Sequence, residues 1–141
     1  MKMADAICVY VEQSAYSLFE HRVYGLTGED LTPENIQQLY TDIGVQFGFT
    51  STDWDYRDYV LITHLFIEPL YMASYVASND VAFQIYQKER AVPGAGLKLY
   101  EEMLSSQDSY LVAFAEGYGL KNPFDPDRVP EICRALDPLF S

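Results

Sequence analysis

The sequence predicts an all-α protein, a bundle of about six or seven helices. Apolar residues recur at intervals of three and four along most of the chain, and no stretch alternates apolar and polar residues as a half-buried strand would. Glycine and proline separate these periodic segments. The chain has 141 residues, 49% of them apolar, which is enough for one compact core. We therefore expect a single helical domain over residues 1–141.

The first two helices have clear boundaries. Helical periodicity runs over residues 7–23, and Gly25 should end that helix. Thr32 and Pro33 mark the start of the second helix, because a threonine side chain can accept a free backbone N–H and proline has no N–H to leave unpaired.

A loop over residues 48–53 precedes the middle of the chain. Asp53 or Asp55 is placed to cap a helix over residues 59–63, and helix should resume after Pro69.

The second half begins with a predicted central helix. Residues 70–86 are apolar almost all round, as in a buried helix, and residues 93–96 interrupt the pattern with proline and glycine. Three shorter helices follow, over residues 97–104, over residues 108–116, and from Asp125 to about Leu139.

Charge narrows the range of partners. Asp and Glu outnumber Lys and Arg by 21 to 9, for a net charge of −12, and no basic cluster is present. Nucleic acids and anionic membranes both require such clusters, so neither is expected to bind. The most apolar stretch, residues 59–77, is interrupted by His64, Glu68 and Pro69 and does not read as a membrane span.

The two cysteines indicate a reducing compartment. Cys8 and Cys133 lie near opposite ends of the chain without a Cys-x-x-Cys spacing. This pattern predicts two buried, reduced thiols, and with the absence of an apolar signal core it predicts a cytoplasmic protein.

Known metal motifs are missing from the sequence. Its two histidines, His21 and His64, belong to neither a His-Glu-x-x-His nor a Glu-x-x-His pattern. No glycine-rich phosphate loop is present either. We therefore expect no metal site and no complete catalytic centre in this chain.

A polar and aromatic group stands out in the middle segment. His64, Glu68, Tyr71 and Tyr75 are spaced by 4, 3 and 4 residues, which places them on one face if the helix is continuous, and Asp80 follows. Spacing alone favours a packing role, with core tyrosines and a histidine paired to Glu68. A binding surface is the other interpretation.

The run His-Leu-Phe-Ile-Glu-Pro-Leu-Tyr-Met-Ala-Ser-Tyr at residues 64–75 resembles the C-terminal active-site segment of the oligoendopeptidase F and thimet oligopeptidase family of zinc metallopeptidases. Further similar segments occur in the family's order at residues 19–20, 23–24, 31–33, 39–40, 54, 82–86, 97–100 and 122–124. The likeness thus spans most of the chain. It implies the C-terminal part of a larger helical peptidase catalytic domain.

In that family, a zinc-bound water activated by a glutamate attacks the peptide carbonyl, while a histidine and tyrosines of this segment bind the substrate and the oxyanion. The resemblance implies that His64 is the substrate or oxyanion donor and that Tyr71 and Tyr75 bind short peptides. Both zinc-ligand helices are missing from the sequence. Zinc is therefore a cofactor of the family that we do not expect on this chain, and we expect the chain alone to be inactive.

One departure and two alternatives accompany this interpretation. Met72 and Ala73 stand where the family usually has another tyrosine. A helical interaction module that has lost the reaction, and that forms a homo-oligomer through exposed apolar surface, is the main alternative. A small-molecule site lined by His64 and the tyrosines is the other.

Overall fold

The computed structural model describes residues 3–107 and 110–137. Within those residues it contains seven α-helices and no strand, which confirms the predicted all-α class. In chain order the helices are α1 (Met3–Tyr24), α2 (Pro33–Gln46), α3 (His64–Ile67), α4 (Met72–Ala91), α5 (Ala95–Met103), α6 (Leu111–Gly117) and α7 (Arg128–Leu136).

The ends of the first two helices agree with the sequence. Helix α1 ends at Tyr24, next to Gly25. Helix α2 begins at Pro33, and the Thr32 hydroxyl accepts the backbone N–H of Asn35 at 3.2 Å. This side-chain bond satisfies one of the backbone donors that the first turn leaves unpaired.

The helix predicted over residues 59–63 is wrong. The chain forms only a short 3₁₀ turn, Asp58–Leu61. The Asp55 carboxylate accepts the backbone N–H of Arg57 at 2.9 Å, and the Asp58 carboxylate accepts that of Asp55 at 3.3 Å. These local side-chain bonds stabilise turns and compete with a regular helix.

Helix α5 begins at Ala95, two residues earlier than expected. The Glu89 carboxylate, from the end of α4, accepts the backbone N–H groups of Gly94, Gly96 and Leu97 at 2.8–3.1 Å. A side chain of the preceding helix thus caps α5, which local sequence rules do not anticipate. The helix start predicted at residue 108 and the helix end predicted at about Leu139 lie outside the described residues.

The chain divides into two compact units, Met1–Val76 and Ala77–Ser141. Each has its own hydrophobic core. A single domain over residues 1–141 stays a prediction.

The first unit is built on stacked aromatic rings. The Trp54 ring lies 4.4 Å from Tyr40, 4.7 Å from Tyr16 and 4.9 Å from Phe49, measured between ring centroids, and all three pairs are nearly parallel. The Trp54 indole N–H donates to the Tyr40 carbonyl at 2.9 Å. The core of this unit comprises Ala15, Phe19, Tyr40, Ile43, Trp54, Leu65 and Met72.

The second unit combines a small apolar core with a polar network. Val81, Met103, Ala115 and Leu120 form the apolar core. The side chain of Gln84 joins α4 to the loop before α7, because its amide donates to the carbonyl of Lys121 at 3.1 Å and its oxygen accepts the Lys121 backbone N–H at 2.7 Å.

Both cysteines lie at the surface. Both Cys8 and Cys133 are exposed free thiols, so the prediction that they are buried is wrong. Cys8 lies on the solvent-exposed side of α1, and Cys133 lies on the solvent-exposed side of α7. Other residues of these two helices are buried. No helix among the described residues is long and apolar enough to cross a membrane.

Candidate functional site

The candidate site is at the junction of α3 and α4. Helix α3 ends after one turn, because Pro69 lacks an N–H and disfavours helical geometry at Glu68, whose φ and ψ are −129° and 87°. Leu70 follows in the left-handed region, with φ of 63°, and α4 begins at Met72. The four polar positions therefore do not share one continuous helix face, as the spacing had suggested.

The turn nevertheless brings three of the predicted residues together. The His64 ring lies 4.9 Å from the Tyr71 ring and 6.2 Å from the Tyr75 ring, between centroids. The two tyrosines meet edge to face at 5.2 Å and 89°. The broken helix thus forms a compact aromatic cluster of His64, Tyr71 and Tyr75, which we call the junction cluster.

The junction cluster is a surface feature. Tyr71 and Tyr75 are each 36% exposed, and His64 is half-buried. The intervening Met72 is buried in the core of the first unit. Spacing alone favoured a core packing role for the two tyrosines, but in the structure Met72 packs in the core instead. The tyrosine rings are partly exposed and accessible to a ligand.

A polar contact joins the histidine to one tyrosine. The Tyr75 hydroxyl oxygen lies 3.5 Å from Nε2 of His64, at the outer limit of a hydrogen bond. Glu68, the partner that spacing suggested for His64, is exposed.

The pKa of the Tyr75 phenol is raised by its surroundings. Its pKa lies above the usual 10.0 because of partial desolvation first, and then because Tyr71 and the charge of Glu68 oppose ionisation. A tyrosine that stays protonated can donate a hydrogen bond at neutral pH.

Two side chains of helix α1 form hydrogen bonds to the backbone around the junction of α3 and α4. The Tyr24 hydroxyl donates to the carbonyl of Leu65 at 3.1 Å, and Oε1 of Glu20 accepts the backbone N–H of Leu70 at 2.5 Å. Sequence reasoning missed both roles. The available signal was a carboxylate, Glu20, placed directly after the core residue Phe19 on the first helix.

The junction cluster offers hydrogen-bond donors and aromatic surface. Across residues 3–107 and 110–137, no group of three or more His, Cys, Asp or Glu side chains lies close enough together to hold a metal ion. The donors beside His64 are the phenols of Tyr71 and Tyr75, which do not fit the set of His, Cys and carboxylate ligands that holds a zinc ion.

No family model matches the chain, and searches of curated proteins and of solved structures give no match either.

Proposed function

We propose that the junction cluster binds the backbone carbonyl of a peptide, and that the chain serves as the substrate-binding C-terminal part of a zinc endopeptidase of the oligoendopeptidase F type. The observation that carries this proposal is the meeting of His64, Tyr71 and Tyr75 at the surface. The resemblance of residues 64–75 to that family's active-site segment supports the same assignment.

The chemistry of the donors suits a carbonyl oxygen. Tyrosine hydroxyls and a neutral imidazole N–H donate hydrogen bonds without carrying charge. In peptide hydrolysis, donors of this kind are most useful where negative charge develops on the carbonyl oxygen. Tyr75 carries its proton at neutral pH, as does any tyrosine with a pKa at or above 10.0.

Local charge favours a neutral ligand over a stable anion. The carboxylate of Glu68 lies close enough to Tyr75 to raise the pKa of its phenol. A free carboxylate would be repelled by Glu68 as a full charge, whereas a backbone carbonyl in the middle of a peptide carries no net charge. The proposal therefore selects internal peptide bonds.

The chain's own contribution is substrate binding. In the family that residues 64–75 resemble, a metal-bound water supplies the nucleophile. With no His-Glu-x-x-His motif in this sequence, we expect the purified chain to leave a fluorogenic peptide uncleaved and to retain no stoichiometric zinc. Robust turnover together with one zinc per chain would contradict this division of roles.

Calorimetric titration with a blocked peptide, acetyl-Ala-Ala-Phe-Ala-Ala-amide, tests the binding proposal. We expect Tyr75→Phe and Tyr71→Phe each to weaken binding by about twofold to tenfold, the worth of one hydrogen bond. The matched control is Tyr100→Phe, which removes an exposed hydroxyl from α5. Equal affinity in all three variants would reject the junction cluster as the binding surface.

Exposed apolar residues favour self-association as a second candidate function. Leu61 and Ile67 are 78% and 72% exposed, and both lie within the stretch that leads into the junction. The occupant of such a surface would be a second copy of the chain, as the alternative of an oligomerisation module requires. Light scattering tests it, since a molar mass that stays monomeric at all concentrations would contradict this candidate.

A further inference from the structure

We infer that Glu20 is the positioning residue of the junction cluster: its buried carboxylate holds Leu70 in the left-handed conformation that sets Tyr71 and Tyr75 against His64. The inference rests on the proposed function for its biological meaning. Its structural content can be tested separately.

The carboxylate of Glu20 is committed to the junction. The residue is only 2% exposed, and Oε1 accepts the backbone N–H of Leu70 at 2.5 Å. Burying a carboxylate is costly unless hydrogen bonds compensate it. Glu20 is thus a buried polar group whose observed partner is a single backbone amide of the turn, 50 residues along the chain.

Leu70 needs such a partner. Its φ of 63° is a conformation that residues with a Cβ rarely adopt. Its own side chain is 55% exposed, so core packing does not hold it in place. Pro69 has no backbone N–H. The Leu70 N–H is therefore the donor in this turn that bonds to α1, through Glu20.

The backbone conformation of Leu70 sets the positions of the Tyr71 and Tyr75 rings. Tyr71 follows Leu70 directly, and its N–H donates to the carbonyl of Glu68 at 3.1 Å to close the turn. A return of Leu70 to negative φ would redirect the chain at Tyr71 and move its ring away from His64. On the other side of the junction, the bond from Tyr24 to the Leu65 carbonyl anchors the helix that carries His64.

The test compares three replacements of Glu20. Glu20→Gln keeps an acceptor oxygen at the same reach, Glu20→Asp keeps the charge but is one methylene shorter, and Glu20→Leu removes the acceptor. We expect Glu20→Gln to preserve the nuclear Overhauser contacts between the His64 and Tyr71 rings. Glu20→Asp and Glu20→Leu should lose them, and the pKa of the Tyr75 phenol should fall toward 10.0 as Tyr71 moves away.

A second-site change separates positioning from general stability. Leu70→Gly removes the Cβ that disfavours positive φ, so we expect it to restore part of the ring contact in the Glu20→Asp background. Ile43→Val is the matched control, because it weakens the fully buried core and leaves the hydrogen bond between Glu20 and Leu70 in place. It should leave the ring contacts and the Tyr75 pKa unchanged.

The outcomes distinguish this inference from the proposed function. Unchanged ring contacts in both Glu20→Asp and Glu20→Leu would overturn the inference, and if Glu20→Leu does not fold, unchanged contacts in Glu20→Asp alone would do so. If the contacts respond as expected but the wild-type chain does not bind the blocked peptide, the proposed function fails while the positioning role of Glu20 stands.

Discussion

Arg128 and Asp80 form a buried ion pair in the second unit. Nη2 of the arginine lies 2.7 Å from Oδ1 of the aspartate, whose side chain is completely buried, and the arginine is only 3% exposed. Gln84 donates to the other carboxylate oxygen at 2.7 Å, and Nη1 of Arg128 bonds to Glu131. Asp80, which follows the junction residues in the sequence, is therefore a structural residue of the second unit.

Removing the arginine should be strongly destabilising. Arg128→Met would leave the Asp80 carboxylate buried without its cation, and we expect the free energy of unfolding to fall by about 3–5 kcal/mol. Urea denaturation measures this loss. The double variant Asp80→Leu/Arg128→Met should lose less than Arg128→Met alone, since it leaves no buried charge. A single-variant loss below about 1 kcal/mol, as for an exposed pair, would contradict the account.

Gly44 should not tolerate a side chain. A Cβ at this position would lie 2.3 Å from Cδ1 of Trp54, whose indole is held by the Tyr40 carbonyl and by stacked rings. We expect Gly44→Ala to destabilise the chain by about 1–3 kcal/mol, measured by urea denaturation. Gly117→Ala is the matched control, because no atom lies within 4 Å of a Cβ there. Equal effects at both glycines would show that the close approach to Trp54 is unimportant.

The Asp55 carboxyl should titrate well below its usual range. Hydrogen bonds from the side chain and backbone of Arg57 lower its pKa from 3.8 to about 2. Because the folded pKa is the lower one, the contribution of this group to stability is present above pH 3.8 and is lost as pH falls toward 2. Carbon-13 NMR of the carboxyl group follows the titration. Arg57→Gln should return the pKa toward 3.8, and a value already near 3.8 in the wild type would contradict the contact.

The Tyr75 phenol should respond to its neighbours. Its pKa is raised by partial desolvation and by the proximity of Tyr71 and Glu68. We expect Glu68→Gln to lower that pKa, since the variant removes a negative charge that opposes the phenolate. Carbon-13 labelling of the tyrosine Cζ atoms resolves the titration. Glu34→Gln, a change on the exposed first turn of α2, should leave the value unchanged.

Local sequence signals predicted much of the fold. The Thr32 cap and the glycine after α1 depend on neighbours in the chain, and both agree with the structure. The helix predicted over residues 70–86 is observed as Met72–Ala91, but it is not buried all round, because Tyr75 and Tyr86 are exposed. The turn over Asp58–Leu61 was missed because two carboxylates compete locally for backbone donors. The capping of α5 by Glu89 was missed because the side chain comes from another helix.

The three rings of the junction cluster belong to residues that the sequence brought to attention. Spacing grouped His64, Glu68, Tyr71 and Tyr75 and favoured packing, the resemblance pointed to His64, Tyr71 and Tyr75 as substrate-binding, and the structure brings these three rings together. Their binding role stays a prediction. Spacing could not show that Leu70 breaks the helix with positive φ, nor that Glu20 of a distant segment pairs with its amide. Such a contact depends on tertiary packing, which local patterns do not contain.

The most direct measurement of the central claim uses a blocked peptide, acetyl-Ala-Ala-Phe-Ala-Ala-amide, with carbon-13 in one internal carbonyl. If Tyr71 and Tyr75 donate to that oxygen, the labelled resonance should shift downfield on adding the wild-type chain and should shift far less with the Tyr71→Phe/Tyr75→Phe double variant. A resonance that does not move with the wild type, or that moves equally with the double variant, would contradict carbonyl binding by the junction cluster.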